Sequence, residues 1–394
     1  MTPAGAGVFA AFAPAAQAAG AGLLLGLAVA AVVAFGNATS SARLAVVYPV
    51  SGGTYVYGRE RLGDFWGYLA GWGFVVGKTA SCAAMALTVG YYVHPGSARL
   101  IAVIAVAALT ALNYFGVHKS ALATRMIVGV VLAVLVLVVV TGWTSGRPQT
   151  GRLTPVTGHG GFAVLQAAGF LFFAFAGYAF FAFAGYARIA TLGEEVRDPA
   201  RTIPRAIPLA LGITLVVYAA VAVTVLAVLG AAGAAGTNAP LVAVAKAADG
   251  SWLVPLVRAG AAVAALGSLL ALLLGVSRTT FAMARDRHLP GLLDAVHPRY
   301  GVPHRAELAV GAIVLVVVTA VDVRGAIGFS SVAVLVYYAI ANASALTLGR
   351  GQGTKLIPAL GLIGCLVVAV SLPLTTVLTG CCVLTVGAVV WICR

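Results

Sequence analysis

The sequence predicts an all-α integral membrane protein of about twelve transmembrane helices, and three observations carry that expectation. Apolar residues fill 61% of the 394 positions and charged residues only 9%, against about 25% charged in a soluble domain. The apolar residues gather in runs long enough to cross a hydrocarbon core, which takes about 20 residues of helix. Lysine and arginine collect on one side of those runs.

In order, the runs cover 5–19, 22–47, 65–93, 99–115, 122–143 and 162–191 in the first half of the chain. The second half has 206–231, 252–283, 306–321, 326–348, 356–374 and 376–393. They are helices, because a spanning segment must satisfy its own backbone hydrogen bonds and barrel strands would alternate polar with apolar residues. Seventeen basic residues lie on one side, among them Arg43, Arg59, Arg61, Arg285, Arg287 and Arg394. Arg99, Arg147, Arg152, Lys246, Arg258 and Arg324 lie on the other. The excess makes the first side cytoplasmic, with the C-terminus inside and the first span running outward.

The net charge of +14 contains no basic run of the kind that tracks phosphates, which excludes nucleic acid as a partner. Cys82, Cys365, Cys381, Cys382 and Cys393 lie in apolar segments without CxxC spacing and read as small hydrophobes, not metal ligands. Nothing ahead of Gly5 resembles the basic start of a cleavable signal. Arginine far outnumbers lysine, and alanine, glycine and valine dominate, which points to a GC-rich bacterial genome and to the cytoplasmic (plasma) membrane.

Two spans carry interruptions. One is Gly5-Ala6-Gly7-Val8-Phe9, at the start of the first span; the other is in span 6, where Phe172–Ala179 reads FFAFAGYA and Phe180–Ala187 repeats it. A broken helix frees N–H and C=O groups that lipid cannot satisfy, so such breaks survive where protein, water or a ligand meets them. Paired breaks in corresponding helices of two halves mark a transporter substrate site at the midplane, and helix ends there offer donors to an anion and acceptors to a cation. That combination suits a zwitterion. For any single glycine, close helix packing is the commoner reason.

Five stretches give the chain its resemblance to the amino acid–polyamine–organocation (APC) permeases. Gly5–Phe9 resembles the family's GxG break in helix 1, and Tyr48-Pro49-Val50-Ser51-Gly52-Gly53-Thr54-Tyr55 resembles its P-x-S-G-G-x-Y loop. Phe180–Ile207 resembles the helix 6 break with the loop that follows it. Gly275–Pro290 and Phe329–Ala341 resemble the end of helix 8 and helix 10. The resemblance implies a LeuT-type five-plus-five inverted repeat, 1–143 and 162–348, with two added helices in 356–393, all in one transmembrane domain. It implies alternating access without enzymatic chemistry. Main-chain N–H groups around Gly5, Ala6, Gly7 and Val8 would hold a substrate carboxylate. Carbonyls and rings at Phe180, Ala182, Phe183 and Gly185 would receive its ammonium group.

Two features depart from the family. The first span, 5–19, is about 22 Å of helix against a hydrocarbon core of roughly 30 Å, so a truncated first helix is expected. The second FFAFAGYA would lengthen span 6 by about 12 Å and turn what precedes it by roughly 80°.

Lys78 lies mid-span in helix 3, either as a coupling cation or proton relay or as a structural lysine donating to carbonyls. Gly77-Lys78-Thr79 is no P-loop, since Trp72 stands where that motif needs glycine. Glu194, Glu195 and Asp198, and likewise Asp286, read as solvated loop charges, with gating ion pairs as the sharper alternative. Asn37-Ala38-Thr39 and Asn342-Ala343-Ser344 match a glycosylation sequon but fall in helices and are discounted. No acidic residue stands at mid-depth in a span, so the expected substrate is a neutral amino acid. A cationic amino acid or polyamine transporter, and a transport-inactive family member or amino acid sensor, remain as alternatives. No resident cofactor is expected; coupling to H+ or Na+ is left open, as is the oligomeric state.

Overall fold

The structure is a computed structural model and describes residues 7–48, 52–116, 121–154, 159–191, 199–349 and 352–393, without the side chains of 121–125, 176–208, 210 and 352–354. Fifteen α-helices lie in the described residues, and no strand does. In the first half they are α1 (Gly7–Ala10), α2 (Phe12–Ala19), α3 (Leu23–Val47), α4 (Thr54–Leu62), α5 (Asp64–Val93), α6 (Ala98–Tyr114) and α7 (Ala121–Thr144). Then come α8 (Gly160–Thr191), α9 (Pro199–Ala235), α10 (Pro240–Ala247), α11 (Val254–Arg285), α12 (His304–Ala320), α13 (Val323–Leu346), α14 (Gln352–Ser371) and α15 (Leu374–Ile392). Every expected span carries helix in its described residues, and eight helices among the described residues are long and apolar enough to cross a membrane. The short helices α4 and α10 lie in what the sequence presents as connections.

Helix ends follow local chemistry. Gly52 and Gly53, with φ of 130° and 56°, turn the chain into α4, and Gly63, with φ of 106°, turns it from α4 into α5. Few side chains tolerate that backbone region. The Asp322 carboxylate caps α13 by accepting from the Gly325 N–H at 3.0 Å. α9 kinks at Gly230 (φ 70°). Beside the kink the Arg152 guanidinium donates to the Val228 carbonyl, an acceptor that the broken ladder leaves available.

α5 is the central post. It packs against α4, α6, α11, α12, α13 and α15, and 89% of its apolar window is buried, against 11% for α15 at the rim. Around it, α3 packs on α8, α9, α13 and α14, while α2 packs on α8 and α9. α6 lies against α11 and α12, and α7 against α9 and α11. Small residues permit these approaches: a Cβ at Gly77 of α5 would come within 2.8 Å of Ala333 Cβ on α13.

The two expected interruptions turn out differently. Gly5 and Ala6 of the first lie outside the described residues; beyond them the first span bends at Ala11, which keeps helical dihedrals (φ −78°, ψ −21°). Pro14 has no N–H to give the Ala10 carbonyl, and its ring crowds that carbonyl. The Ala11 N–H still reaches the Gly7 carbonyl at 2.9 Å, whereas the Ala15 N–H meets Ala11 at 3.3 Å. Span 6 is not interrupted, since α8 runs as one helix from Gly160 to Thr191 through both FFAFAGYA copies. Phenylalanine and alanine satisfy a helix without strain, and the paired glycines, Gly177 and Gly185, lie inside it.

Candidate functional site

The start of the first span sits in a buried, tightly packed seam. Val8 and Phe9 are fully buried. Gly7 faces α8 so closely that a Cβ there would lie 2.5 Å from the Ala174 Cα. The packing reading of Gly7 is therefore correct in this conformation, and its missing side chain is what lets α1 touch α8. Tyr92, at the far end of α5, donates its hydroxyl to the Phe9 carbonyl at 2.9 Å. Its ring meets Phe9 edge-on at 5.5 Å. α10 lies across the same end of α1. Nothing in Gly90-Tyr91-Tyr92-Val93 marks Tyr92 beforehand, because its role comes from a helix eighty residues earlier.

The remaining site candidates are distributed as follows. Gly5 and Ala6 lie outside the described residues. Phe180, Ala182, Phe183 and Gly185 are in the second half of α8, where the side chains lie outside them too. The first FFAFAGYA copy is the one brought to α1. Phe172, Ala174 and Phe175 are buried, with Phe172 edge-on to Tyr338 at 6.1 Å and Phe175 against Tyr218 at 5.4 Å. Lys78 is buried in α5, one turn before Ser81, whose hydroxyl meets that of Ser330 on α13 at 2.6 Å. It lies about 21 Å along the helix from Tyr92, so the structure does not bring it to the start of the first span.

A second cluster occupies the end of the bundle that carries most of the basic residues. The Tyr55 hydroxyl donates to Asp286 Oδ2 at 2.5 Å and stands 2.7 Å from His288 Nδ1. With its one proton given to Asp286, Tyr55 accepts from His288, which fixes Nδ1 as the protonated nitrogen. Arg59 donates to the same Asp286 oxygen at 3.1 Å. Arg61 donates to the Thr347 hydroxyl at 2.7 Å, and the Thr54 N–H meets the Tyr337 hydroxyl at 3.2 Å. α4 is thus a crossbar tying the ends of α11 and α13, and the P-x-S-G-G-x-Y stretch supplies its turn and its Tyr55. Asp286 is ion-paired with Arg59 at 3.1 Å; Glu194, Glu195 and Asp198 lie outside the described residues.

Burial and the Asp286 carboxylate hold the Tyr55 phenol well above its ordinary range. The folded protein therefore binds that proton more tightly than the unfolded chain does. The stabilisation is complete below about pH 10 and fades as pH rises above it. Tyr55→Phe keeps the ring and removes both bonds. It is expected to cost about 1–3 kcal/mol, read by thermal unfolding of the two proteins in detergent.

A third cluster joins α3, α13 and α14. Asn342 Nδ2 donates to Asn37 Oδ1 at 2.6 Å and to the Tyr338 carbonyl at 2.9 Å. The Ser40 hydroxyl donates to Asn342 Oδ1 at 2.6 Å. The two sequon asparagines are fully buried and bond to each other, so neither is a glycosylation site in this fold.

The amino acid permease family model matches residues 2–388, nearly the whole of the bundle just described. The chain belongs to the amino acid permease family. It is 67% identical over 385 residues to an uncharacterized transporter of Mycobacterium tuberculosis (strain ATCC 25618 / H37Rv), covering 97% of this chain and 86% of that protein. It is 25% identical over 421 residues to the branched-chain amino acid permease BcaP of Bacillus subtilis (strain 168), with 98% and 88% covered. To the chloroplastic cationic amino acid transporter 7 of Arabidopsis thaliana it is 27% identical over 350 residues, with 82% and 59% covered. For the permease, then, the all-helical bundle, the bent first span and the α4 crossbar are parts of a membrane transporter.

Proposed function

We propose that this permease is a secondary transporter of neutral amino acids that works by alternating access around the α1–α8 seam, as a five-plus-five inverted repeat. One observation carries the reading. Number the first five spans α1–α2, α3, α5, α6 and α7, and the second five α8, α9, α11, α12 and α13. Exchanging the two halves then maps several packed pairs onto other packed pairs, although α8 with α13 and α2 with α3 have no counterpart of comparable extent among the described residues. α3 with α8 becomes α2 with α9, α5 with α12 becomes α6 with α11, and α5 with α13 becomes α7 with α11; every one of these pairs is in contact. The pairs α1–α8, α3–α9, α5–α11 and α6–α12 map onto themselves and are also in contact. A bundle built this way has two equivalent ways to tilt one group of helices against the other, which is what alternating access requires.

In this reading the main chain at Ala6, Gly7 and Val8 receives the substrate carboxylate when α1 and α8 part, and the α4 crossbar closes the cytoplasmic end. The C-terminus lies in the cytoplasm of a bacterial cell, a placement that the arginine asymmetry supports. The first span holds no carboxylate to pair a second positive charge, which favours neutral side chains. The cationic-transporter relatives favour the competing substrate class. Uptake of labelled leucine, isoleucine and valine against arginine and lysine, by purified protein in liposomes, separates the two. Neutral uptake supports the reading, arginine uptake alone reassigns the substrate, and no uptake of any of the twenty amino acids ends it.

A further inference from the structure

Glu307 is the acidic residue that least fits a lipid-embedded bundle. It stands in the first turn of α12, 2% exposed, and both of its carboxylate oxygens lack a hydrogen-bond partner among the described residues. The seam opposite is α6, whose register can be read from two fixed points. The Tyr114 ring lies 6.2 Å from His304, and a Cβ at Gly311 would touch the Thr110 hydroxyl oxygen at 2.7 Å. Two antiparallel helices pinned at those points place Asn113 against Glu307. Asn113 is 1% exposed and Thr110 8%, and both amide atoms of Asn113 and the Thr110 hydroxyl are likewise unpartnered. Three polar side chains thus meet between α6 and α12 without a well-formed hydrogen bond, the Asn113 amide being the group within reach of the Glu307 carboxylate, an arrangement that costs stability unless another species completes it.

We propose that Glu307, with Asn113 as its positioning partner, is a proton-binding site that is loaded and emptied as α6 and α12 move against each other. The inference rests on the transporter reading and names the ion that drives it. A side-chain amide suits the role because it carries both a donor and an acceptor. The protonated carboxyl donates to Asn113 Oδ1, and the ionised carboxylate accepts from Asn113 Nδ2. Loading adds one proton to the Glu307 carboxylate from one side of the membrane, and emptying returns that proton to the other side.

The surrounding groups are consistent with an entry from the basic end. His304 lies one turn nearer that end, with its Nδ1 unpartnered, and its ring is 5.3 Å from His297. Tyr114 of α6 and Tyr300 of the loop complete that ring cluster. Arg278 of α11 is the positive charge acting on Glu307, while Arg305 is turned away to the Leu292 carbonyl. The charged residues of α5, which also packs on α12, are exposed Asp64 and buried Lys78. A metal cation suits the seam less well. α6 and α12 are unbroken and lend no main-chain carbonyls, and Arg278 already supplies a positive charge.

The test uses the full chain in liposomes. Counterflow, in which labelled substrate exchanges with internal unlabelled substrate, needs no driving ion. Net accumulation does, and one coupled proton with a one-unit pH gradient drives up to about tenfold accumulation. Glu307→Gln keeps the size and the hydrogen bonds but cannot titrate. It is expected to keep counterflow within about twofold of the parent while losing gradient-driven accumulation. Infrared difference spectra of the parent are expected to show a protonated carboxyl that titrates with pH and is absent in Glu307→Gln. Accumulation by Glu307→Gln that still follows the pH gradient, a Na+ gradient replacing it in the parent, or no titrating carboxyl band would each overturn the proposal. If the parent shows no counterflow of any amino acid, the transporter reading fails, and the infrared titration alone decides the site.

Discussion

Gly7→Leu is expected to abolish transport. Even the first carbon of a side chain at this position would lie 2.5 Å from the Ala174 Cα and 2.8 Å from its Cβ. The nearest atoms belong to the helix itself, so no rotamer change on α8 makes room. α1 must move away from α8, which breaks the burial of Val8 and Phe9 and the bond from Tyr92 to the Phe9 carbonyl. Overpacking of this kind costs about 1–3 kcal/mol even where the neighbours adjust, and here it falls on the helix that parts from α8 in the proposed cycle. Gly129→Leu in α7 is the control, since nothing lies within 4 Å of a Cβ there. The comparison is counterflow of labelled amino acid by the two variants at matched protein density. Loss in Gly7→Leu with retention in Gly129→Leu is the expected outcome; equal activity would remove the α1–α8 seam from the mechanism.

The largest expected effect on stability is at Asn342. Asn342→Ala deletes the bonds to Asn37, Ser40 and the Tyr338 carbonyl, leaves Ser40 buried without this acceptor and leaves Asn37 Oδ1 with the weaker Cys365 thiol donor at 3.1 Å. Side-chain hydrogen bonds inside membrane proteins average about 0.6 kcal/mol and reach about 1.7. Three lost together, with the stranded groups and the cavity, amount to about 2–4 kcal/mol. Filling the site is no easy remedy. Gly361 of α14 leans on this asparagine, and a Cβ there would sit 2.4 Å from Asn342 Oδ1. Unfolding in detergent should show Asn37→Ala and Asn342→Ala together costing less than the sum of the single variants, because each removes the same bond. Additive costs would mean the pair does not act as a unit.

The helices were legible because a lipid-spanning segment needs little beyond a continuous apolar run. Each expected span carries helix for that reason. The bend at Ala11 in the first span was not singled out by the glycine pattern. Pro14, three residues past Ala11, sets it through the donor it lacks, while the expected interruption at 5–9 begins outside the described residues. In span 6 the same glycine argument pointed to an interruption, and α8 is continuous. Pairwise relations were not legible. Asn37 and Asn342 lie some three hundred residues apart and look like two stray sequons until α3 and α13 meet. Glu307 sits at the charged border of an apolar run and reads as a solvated helix start. Only the register of α6 against α12, and Asn113 opposite, makes it a buried acid. Tyr55 stands between these cases, since the loop motif marks it while Asp286 and His288 as its partners come from the fold.

The claim on which the account depends is that freed main chain at the start of the first span, not a charged side chain, holds the substrate by its carboxylate. Competition against the best-transported labelled amino acid tests it most directly, using the matching amine that lacks the carboxyl group and the matching N-acetyl acid. The account predicts that the amine fails to displace label at any attainable concentration and that the acid competes only weakly, since both ends of the zwitterion are held. An amine that displaces label as well as the parent amino acid does would contradict it.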